Sequence, residues 1–244
     1  MKREYLKFLV CPETKEPLNL VDEKLDKDGL IVEGKLRSSK NQYDIIEYIP
    51  RFIKNHYAEN FGFQWNIFNE TQLDKKNTFD ISEKRFFETT NWTDNLNGKI
   101  ILEAGCGMGR FTEHALNTGA VVVSFDLSSA VKANYRNNKN KNLLIIQADI
   151  LNMPFKDNYF DKIFCFGVVQ HTPDPKNTFE KLKKKLKING EIVIDVYRKH
   201  QNFSLLFNSK TRPETRTRHF FRFLTKKLNE KKLYKLFKIY VYLL

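Results

Sequence analysis

Between residues 99 and 200, apolar runs alternate with longer segments that have one polar face. The runs KIILEAG, AVVVSFD, NLLIIQAD, YFDKIFCFG and GEIVIDVY are almost continuously apolar and rich in Val and Ile, which is typical of strands buried on both faces. The segments between them, FTEHALNTG, SAVKANYRNNKN and PKNTFEKLKKKLKI, have the length and polarity of surface helices. The alternation predicts an α/β fold with a doubly wound, mostly parallel sheet.

Residues 1–54 follow a different pattern. Four short apolar runs, LKFLV, PLNLV, LIVEGKL and YDIIEYIPRFI, are divided by Pro12, Pro17, Gly29 and Pro50. Short runs separated by Pro and Gly are typical of short strands joined by turns. We therefore predict a small N-terminal unit rich in β-structure.

Residues 55–98 connect this unit to the alternating region. The segment is polar but carries scattered aromatic residues, and Phe86 and Trp92 predict a helix that lies against a core. We expect a helical connection that contributes to the cover of an active site. Gln64 and Trp65 could close over a ligand or pack in the core, and the sequence favours neither role.

Positive charge is concentrated at the end of the chain. Residues 198–244 hold 13 Lys and Arg against 2 Glu, so they carry +11 of the net charge of +13. Apolar residues recur at helical spacing among these charges, which predicts a basic amphipathic helical tail over 201–244. The last six residues are apolar, and we expect this tail to be truncated. Such a helix either packs on its own domain or contacts phosphate or an anionic membrane surface.

Composition narrows the class of protein. A chain of 244 residues with 41% hydrophobic and 29% charged residues is typical of a folded domain of ordinary size. We find no apolar stretch long enough to span a membrane and no secretory cleavage pattern. Cys11, Cys106 and Cys165 are too few and too far apart for a disulfide framework or a four-ligand zinc site. We therefore predict a cytoplasmic protein without a bound metal.

The candidate ligand-binding residues lie where the predicted strands end. The run EAGCGMGR at residues 103–110 joins the first strand to a helix. Its three alternating glycines allow a tight turn and let a ligand approach the backbone closely. A dinucleotide-binding turn would carry a third glycine where Arg110 stands. Taken alone, the run could also be only a tight connection between strand and helix.

Carboxylates follow the next two predicted strands. Asp126 could accept hydrogen bonds from both hydroxyls of a ribose, or it could cap the following helix. Asp149 could accept a hydrogen bond from an adenine amino group while Ile150 faces the ring, or it could be an ordinary loop residue. Because parallel strands end at one edge of a sheet, we expect these residues to converge on one ligand.

Two later segments complete a recognisable order of motifs. Residues 161–175, DKIFCFGVVQHTPDP, read as a buried strand and a His-containing turn, and LKINGEIVIDVY follows. With EAGCGMGR and Asp126, they resemble the class I S-adenosylmethionine-dependent methyltransferases, which have a Rossmann-like fold. The resemblance covers residues 60–200, and FGFQW and TQLD resemble a bacterial subgroup with an additional N-terminal unit. Asn189 stands where the family has a glycine, and Asn tolerates the left-handed conformation.

The N-terminal unit resembles the zinc-ribbon-like domain of the tRNA-methyltransferase activator family. The matching residues are Cys11, Pro12, Pro17, Leu18, Tyr43, Ile45 and Pro50. Glu13 and Thr14 stand where that family has a second cysteine. The resemblance therefore implies a degenerate unit that holds no zinc.

The methyltransferase resemblance implies that residues 99–200 bind S-adenosylmethionine. The residues that it assigns to the cofactor are Glu103, Ala104, Gly105, Cys106, Gly107, Gly109, Asp126, Leu127, Asp149, Ile150 and Gly167. His171 is the candidate catalytic base for a hydroxyl acceptor, with a locally bonded turn residue as the alternative. Cys106 and Cys165 are expected to be small buried residues rather than nucleophiles.

The predicted function is transfer of a methyl group to a small metabolite or to a glycan or lipid precursor. A nucleic acid partner is not expected, because the positive residues lie outside the catalytic core and no RNA-binding motif accompanies them. Two alternatives remain: methylation of RNA, and a protein that binds the donor or acts as a scaffold without turnover. Oxidoreduction with NAD is disfavoured by Arg110.

Overall fold

The computed structural model describes residues 1–53, 72–76 and 80–196. The predictions for Gln64, Trp65 and the tail 201–244 lie outside these residues. The described strands are β1 (Asn19–Leu25), β2 (Ile31–Arg37), β3 (Gln42–Ile46), β4 (Ile49–Arg51), β5 (Ile100–Ala104), β6 (Val121–Asp126), β7 (Leu143–Gln147), β8 (Phe160–Phe166) and β9 (Leu186–Asp195). The described α-helices are α1 (Ile81–Thr90), α2 (Thr112–Asn117), α3 (Val131–Asn137) and α4 (Pro175–Lys185).

The strands form a nine-stranded sheet in the order β1-β2-β3-β4-β7-β6-β5-β8-β9. Strands β1 to β4 pair antiparallel, whereas every pairing from β4 to β9 is parallel. The mostly parallel α/β sheet predicted from the alternating pattern is confirmed. Chain order reverses between β5 and β8, the kind of point at which open α/β sheets bind ligands.

Side chains that alternate along the strands cover both faces of the sheet. Ile101, Val122 and Phe164 pack with Phe86 of α1 on one face. Their neighbours in sequence, such as Leu102, lie on the other face in a cluster that also contains Leu182 of α4. Helices on both faces explain why these strands read as continuous apolar runs.

The N-terminal strands extend the same sheet. Arg51 of β4 pairs with Gln147 of β7, and the Phe52 amide donates to the Gln147 carbonyl at 2.7 Å. Phe8 and Phe52 belong to the hydrophobic cluster that contains Leu102 and Val123. Residues 1–53 therefore share a core with the parallel part of the sheet.

Two local predictions differ from the structure. The run LKFLV was expected to be a strand, but Arg3–Phe8 form a 3-10 helix in which Tyr5 and Phe8, three residues apart, are both buried. The turn expected around Asn189 is part of β9, where the register with β8 shifts between Phe160 and Lys162. Asn189 has a φ of 63°, so its predicted left-handed conformation is confirmed.

None of the helices in the described ranges is long and apolar enough to cross a bilayer.

Candidate functional site

A cavity of about 520 Å³ opens at the carboxyl ends of β5, β6, β7 and β8. Its described lining comprises Gln72, 105–108, Arg110, Phe111, 125–128, 148–151, 166–168 and 171–173. Four strand ends thus meet around one cavity, as expected for parallel strands. Its volume is within the roughly 300–1,000 Å³ of small-molecule and cofactor sites.

The glycine turn after β5 forms the floor of the cavity. Gly105, Gly107 and Gly109 have φ angles of 80°, 52° and 90°, a region that side chains with a Cβ rarely adopt. A Cβ on Gly105 would lie 2.3 Å from Cγ2 of Val168, so the turn after β5 lies directly against the loop after β8. The absence of a side chain at Gly105 leaves a smooth backbone surface.

Asparagines of α3 and the residue after it support this turn from behind. Asn137 Nδ2 donates to the Met108 carbonyl at 2.9 Å, and Asn138 Nδ2 donates to the Gly109 carbonyl at 2.8 Å. A Cβ on Gly109 would lie 2.2 Å from Asn134 Oδ1 and from Asn138 Nδ2. Gly109 is not among the described residues that line the cavity. Only glycine fits at this position, because any side chain would overlap the asparagines.

Asp126 links the glycine turn to the end of β6. Its Oδ2 accepts from the Gly107 amide at 2.9 Å, and its Oδ1 accepts from the amide and the hydroxyl of Ser128 at 2.8 and 2.7 Å. A carboxylate has about four acceptor positions, so this one retains capacity on Oδ2 for a further donor. It is half-buried and lines the cavity, which suits a ribose hydroxyl.

The end of β7 supplies one polar and one apolar group. Asp149 Oδ1 accepts from the Leu151 amide at 2.8 Å, which fixes the carboxylate at the cavity wall. Ile150 is only 9% exposed and lines the same wall. An acceptor next to an apolar surface is the combination that an adenine ring with its amino group requires.

Glu103 lies away from this wall. It is 2% exposed, and its Oε2 accepts from the hydroxyls of Thr112 and Ser124, the latter at 2.6 Å. Burial raises the pKa of its carboxyl group to about 7. Neither Glu103 nor Ala104 is among the described residues that line the cavity. In this structure Glu103 joins β5 to β6 and α2.

Gly167 and His171 form the β8 side of the cavity. The Gly167 amide donates to the Asp195 carbonyl at 2.8 Å, which holds the loop after β8 against β9. His171 ends the 3-10 helix Val169–His171, and its amide donates to the Val168 carbonyl at 2.8 Å. The side chain is exposed and lines the cavity, so a second substrate could reach it.

Sequence reasoning missed an aromatic and cationic cluster around Phe111, which lines the cavity together with Arg110 and Phe166. The Phe111 and Phe166 rings meet edge to face, with centroids 5.1 Å apart. The guanidinium carbons of Arg110 and Arg85 lie 5.0 and 5.5 Å from the Phe111 centroid. Phe111 directly follows the glycine-rich run 103–110, and this position in the sequence could have predicted that Phe111 lies at the cavity.

The donor set of the cavity fits S-adenosylmethionine. Carboxylate acceptors lie at the ends of β6 and β7, an apolar surface lies beside the second one, and a glycine-rich turn follows β5. A Cβ at Gly105 would overlap Val168, which lines the same cavity, so a larger residue at this position would push Val168 away from the glycine turn. Among the described residues, no three His, Cys, Asp or Glu side chains are grouped so that they could hold a metal ion.

Comparisons with known proteins agree with this arrangement. Residues 102–194 match the model of a family described as a methyltransferase domain. The tRNA U34 carboxymethyltransferase of Nautilia profundicola is 27% identical over 199 residues, which cover 80% of this chain and 62% of that protein. The ubiquinone biosynthesis O-methyltransferase of Pasteurella multocida is 28% identical, over 50% of this chain and 56% of that protein.

A similar solved structure is phosphoethanolamine N-methyltransferase 2 of Haemonchus contortus with S-adenosylhomocysteine. It has a TM-score of 0.42 and 22% identity, and the match covers 48% of this chain and 28% of that one. The chain therefore spans less than two thirds of the length of these relatives. The matched segment, residues 102–194, is similar to a methyltransferase domain, and the cavity formed within it fits S-adenosylmethionine as the cofactor.

Proposed function

We propose that this protein transfers the methyl group of S-adenosylmethionine to a small acceptor molecule. The observation that carries the proposal is that the glycine turn, Asp126 and Asp149 share one cavity with the exposed side chain of His171. A donor and an acceptor could therefore meet in one enclosed space. The favoured acceptors are a small metabolite and a glycan or lipid precursor.

The sheet order gives the direction in which the donor would lie. Asp149 and Ile150 would hold the adenine at the end of β7, and Asp126 would hold the ribose at the neighbouring β6. The remainder of the donor then extends over Gly105 and Gly107, towards β8. When bound, S-adenosylmethionine supplies an electron-poor methyl carbon with a neutral sulfide as leaving group.

The protein would contribute mainly position and exclusion of water. Phe111, Phe166 and Pro173 line the cavity beside His171 and would hold an acceptor in line with the methyl carbon. An amine acceptor requires no base, whereas a hydroxyl must lose its proton near the transition state. We propose His171 as the group that takes this proton if the acceptor is a hydroxyl.

RNA is the second candidate acceptor. A relative named tRNA U34 carboxymethyltransferase aligns with 80% of this chain, so our prediction against a nucleic acid partner is not supported. Residues 175–187 also carry six Lys against one Glu and begin two residues after Pro173 of the cavity wall. Such a charge distribution would suit a polyanion.

The domain boundaries at 1–54, 55–98, 99–200 and 201–244 are part of this proposal. The N-terminal unit would be a degenerate zinc-ribbon-like module. Cys11, its remaining cysteine, is buried, and its Sγ lies 3.4 Å from the Tyr43 hydroxyl. A cytoplasmic location remains a prediction.

Calorimetric titration with S-adenosylmethionine and S-adenosylhomocysteine tests the donor site, with NADH as the control. We expect micromolar binding of both adenosyl compounds and none of NADH. Labelled methyl transfer to separate metabolite and RNA pools would then identify the acceptor class. Donor binding without transfer to either pool would favour the scaffold alternative, and NADH binding of equal strength would contradict the proposal.

A further inference from the structure

A cluster of three lysines from two parts of the chain lies outside the cavity. Lys181 and Lys185 are one turn apart on α4, and Lys15 belongs to the turn at residues 11–16 of the N-terminal unit. None of the three lysines is among the described residues that line the cavity. The donor site therefore does not account for them.

The loop between β7 and β8 brings these lysines together. The Val10 amide donates to the Pro154 carbonyl at 2.9 Å, so the chain that leads into the N-terminal turn lies against this loop. Lys185 of α4 is 6% exposed, and its Nζ donates to the carbonyl of Phe155 in the same loop at 2.8 Å. The loop thus joins the N-terminal turn to α4.

Lys181 places the cluster at the rim of the cavity. Its Nζ donates to the carbonyl of Leu151, a residue of the cavity wall that belongs to the same loop after β7. A group that projects from the cavity past Leu151 would meet this ammonium first. The cluster is therefore placed for the outer end of a ligand whose other end lies in the cavity.

The backbone fixes the position of Lys15. Its φ is 62°, in the left-handed region that residues other than Gly, Asn and Asp rarely adopt. Its amide donates to the Cys11 carbonyl at 2.9 Å, and the Cys11 amide donates to the Glu16 carbonyl at 2.9 Å. The exposed side chain of Lys15 therefore leaves a closed, hydrogen-bonded turn.

Asp157 balances only part of the positive charge of the cluster. Its Oδ1 lies 2.5 Å from Lys185 Nζ. Within the described ranges, neither Lys15 nor Lys181 forms an ion pair. Burial and the positive charges of Lys185 and Lys181 lower the pKa of Lys15, as expected where like charges are close together. A bound anion would relieve this repulsion.

We infer that Lys15, Lys181 and Lys185 form a subsite for a terminal phosphate group of the methyl acceptor. A terminal phosphate has three strong acceptor oxygens and a charge of about −2, so it can meet three ammonium groups at once. Lysine binds such a group as a point charge. A phosphodiester of an RNA backbone has fewer free oxygens and a single charge, and it matches the cluster less well.

The inference rests on the proposed function, because it requires the cavity to hold an acceptor. It narrows the favoured acceptors to phosphorylated small molecules, including glycan or lipid precursors that carry a terminal phosphate. It also gives the N-terminal unit a role in acceptor binding, since Lys15 is the part of the subsite that this unit supplies.

Acetylation footprinting of the full chain tests the subsite residue by residue. Acetic anhydride modifies uncharged amines, and mass spectrometry of the peptides gives a rate for each lysine. Glycerol 3-phosphate should slow acetylation of Lys15 and Lys181 by about 3- to 10-fold, because a bound anion favours the charged amine and blocks the reagent. Glycerol with sodium chloride at the same ionic strength should leave both rates unchanged. Lys176 and Lys183, exposed on the same helix, should keep their rates throughout.

Lys15→Gln gives a second measurement, and Lys183→Gln is its matched control because it also removes one exposed lysine. Lys15→Gln should remove most of the protection of Lys181 by glycerol 3-phosphate, whereas Lys183→Gln should leave that protection at the wild-type value. If Lys15→Gln does not fold, the footprint of the wild type remains decisive.

Equal protection of Lys15, Lys176 and Lys183 would overturn the inference, since it would show only general screening by the added anion. Protection by a single-stranded RNA oligonucleotide but not by glycerol 3-phosphate would also overturn it and would favour RNA as the acceptor. Failure of the folded wild type to bind S-adenosylhomocysteine is a different result. It would overturn the proposed function and the acceptor role of the phosphate, whether or not Lys15 is protected.

Discussion

Glu103 is an ionisable side chain whose burial makes stability depend on pH. Its folded-state pKa is raised from 4.5 to about 7, mainly by burial, while the unfolded chain titrates near the lower value. Between these values the folded state binds more protons than the unfolded state, so stability falls as pH rises and is constant above pH 7. Above pH 7, ionisation of the buried Glu103 therefore lowers the free energy of unfolding by up to about 3 kcal/mol.

Glu103→Gln should remove this cost, because an amide of the same shape stays neutral. We expect the free energy of unfolding of the variant, relative to wild type, to be about 3 kcal/mol larger at pH 8 than at pH 4.5. Urea denaturation at several pH values measures this difference, and subtracting wild type cancels the other titrating groups. A difference that does not change with pH would contradict the raised pKa.

Asp126→Ala should weaken S-adenosylhomocysteine binding by about 1.5 to 3 kcal/mol, the contribution of hydrogen bonds to a charged group. The variant also deprives the Gly107 amide of its acceptor, so the turn loses support at the same time. Calorimetry gives the affinity, and Asp94→Ala is the control because Asp94 is exposed and does not appear in the described lining. Unchanged affinity in Asp126→Ala would show that the ribose binds elsewhere.

At this scale, the sequence is informative where a residue's role follows from its place on a strand. Asp126 and Asp149 could be placed at the cavity because parallel strands end at one edge. The burial of Glu103 depends on Thr112 and Ser124, which reach it from other elements. No local pattern reports such contacts.

The contacts between helix α3 and the glycine turn could likewise not be predicted from local sequence patterns. Asn134, Asn137 and Asn138 read as an unremarkable polar helix end, yet they bind the carbonyls of the turn or fill the space beside it. The regular elements β5 to β9 were predicted because continuous Val and Ile runs require burial on both faces. The 3-10 helix at Arg3–Phe8 was missed, since six residues with two buried aromatics fit either conformation.

Gly109→Ala tests the packing of this turn against the asparagines. Its Cβ would overlap Asn134 and Asn138 at 2.2 Å, and its φ of 90° would be strained as well. Gly98→Ala is a matched control, because Gly98 has a φ of 77° but no atom within 4 Å of the added Cβ. We expect Gly109→Ala to lower the free energy of unfolding by at least about 1 kcal/mol more than Gly98→Ala, the cost of overpacking. Urea denaturation measures both, and equal losses would mean that the asparagines move aside.

At the scale of the whole molecule, the described part is one folding unit if the N-terminal strands unfold together with the parallel strands, and two units if they unfold separately. Their Pro and Gly punctuation predicts a separate unit, and sequence alone cannot show that β4 pairs with β7. The Val10 amide also donates to the Pro154 carbonyl at 2.9 Å, and the Phe8 and Tyr159 ring centroids are 5.6 Å apart. Contacts between residues so distant in sequence are set by the tertiary fold.

Because residues 1–53 and the parallel strands share one core, we expect them to unfold together. Phe8 is 1% exposed in the cluster on one face of the sheet, and Trp92 is buried in the cluster on the opposite face. Phe8→Ala should therefore lower the free energy of unfolding reported by Trp92 by about 3 to 5 kcal/mol, although the two side chains belong to different clusters. With Trp65 replaced by Phe, fluorescence reports Trp92 alone, and far-UV circular dichroism reports the whole chain.

Coincident transitions that both shift in Phe8→Ala would mean that the N-terminal strands stabilise the cofactor domain. Their loss would then weaken donor binding indirectly, because β7, which leads to Asp149 and Ile150 of the cavity, would lose its pairing with β4. A Trp92 transition unaffected by Phe8→Ala would instead mean that residues 1–53 fold independently. The continuous sheet would then be an interface between two units, and its Arg51–Gln147 pair would be the place at which they separate.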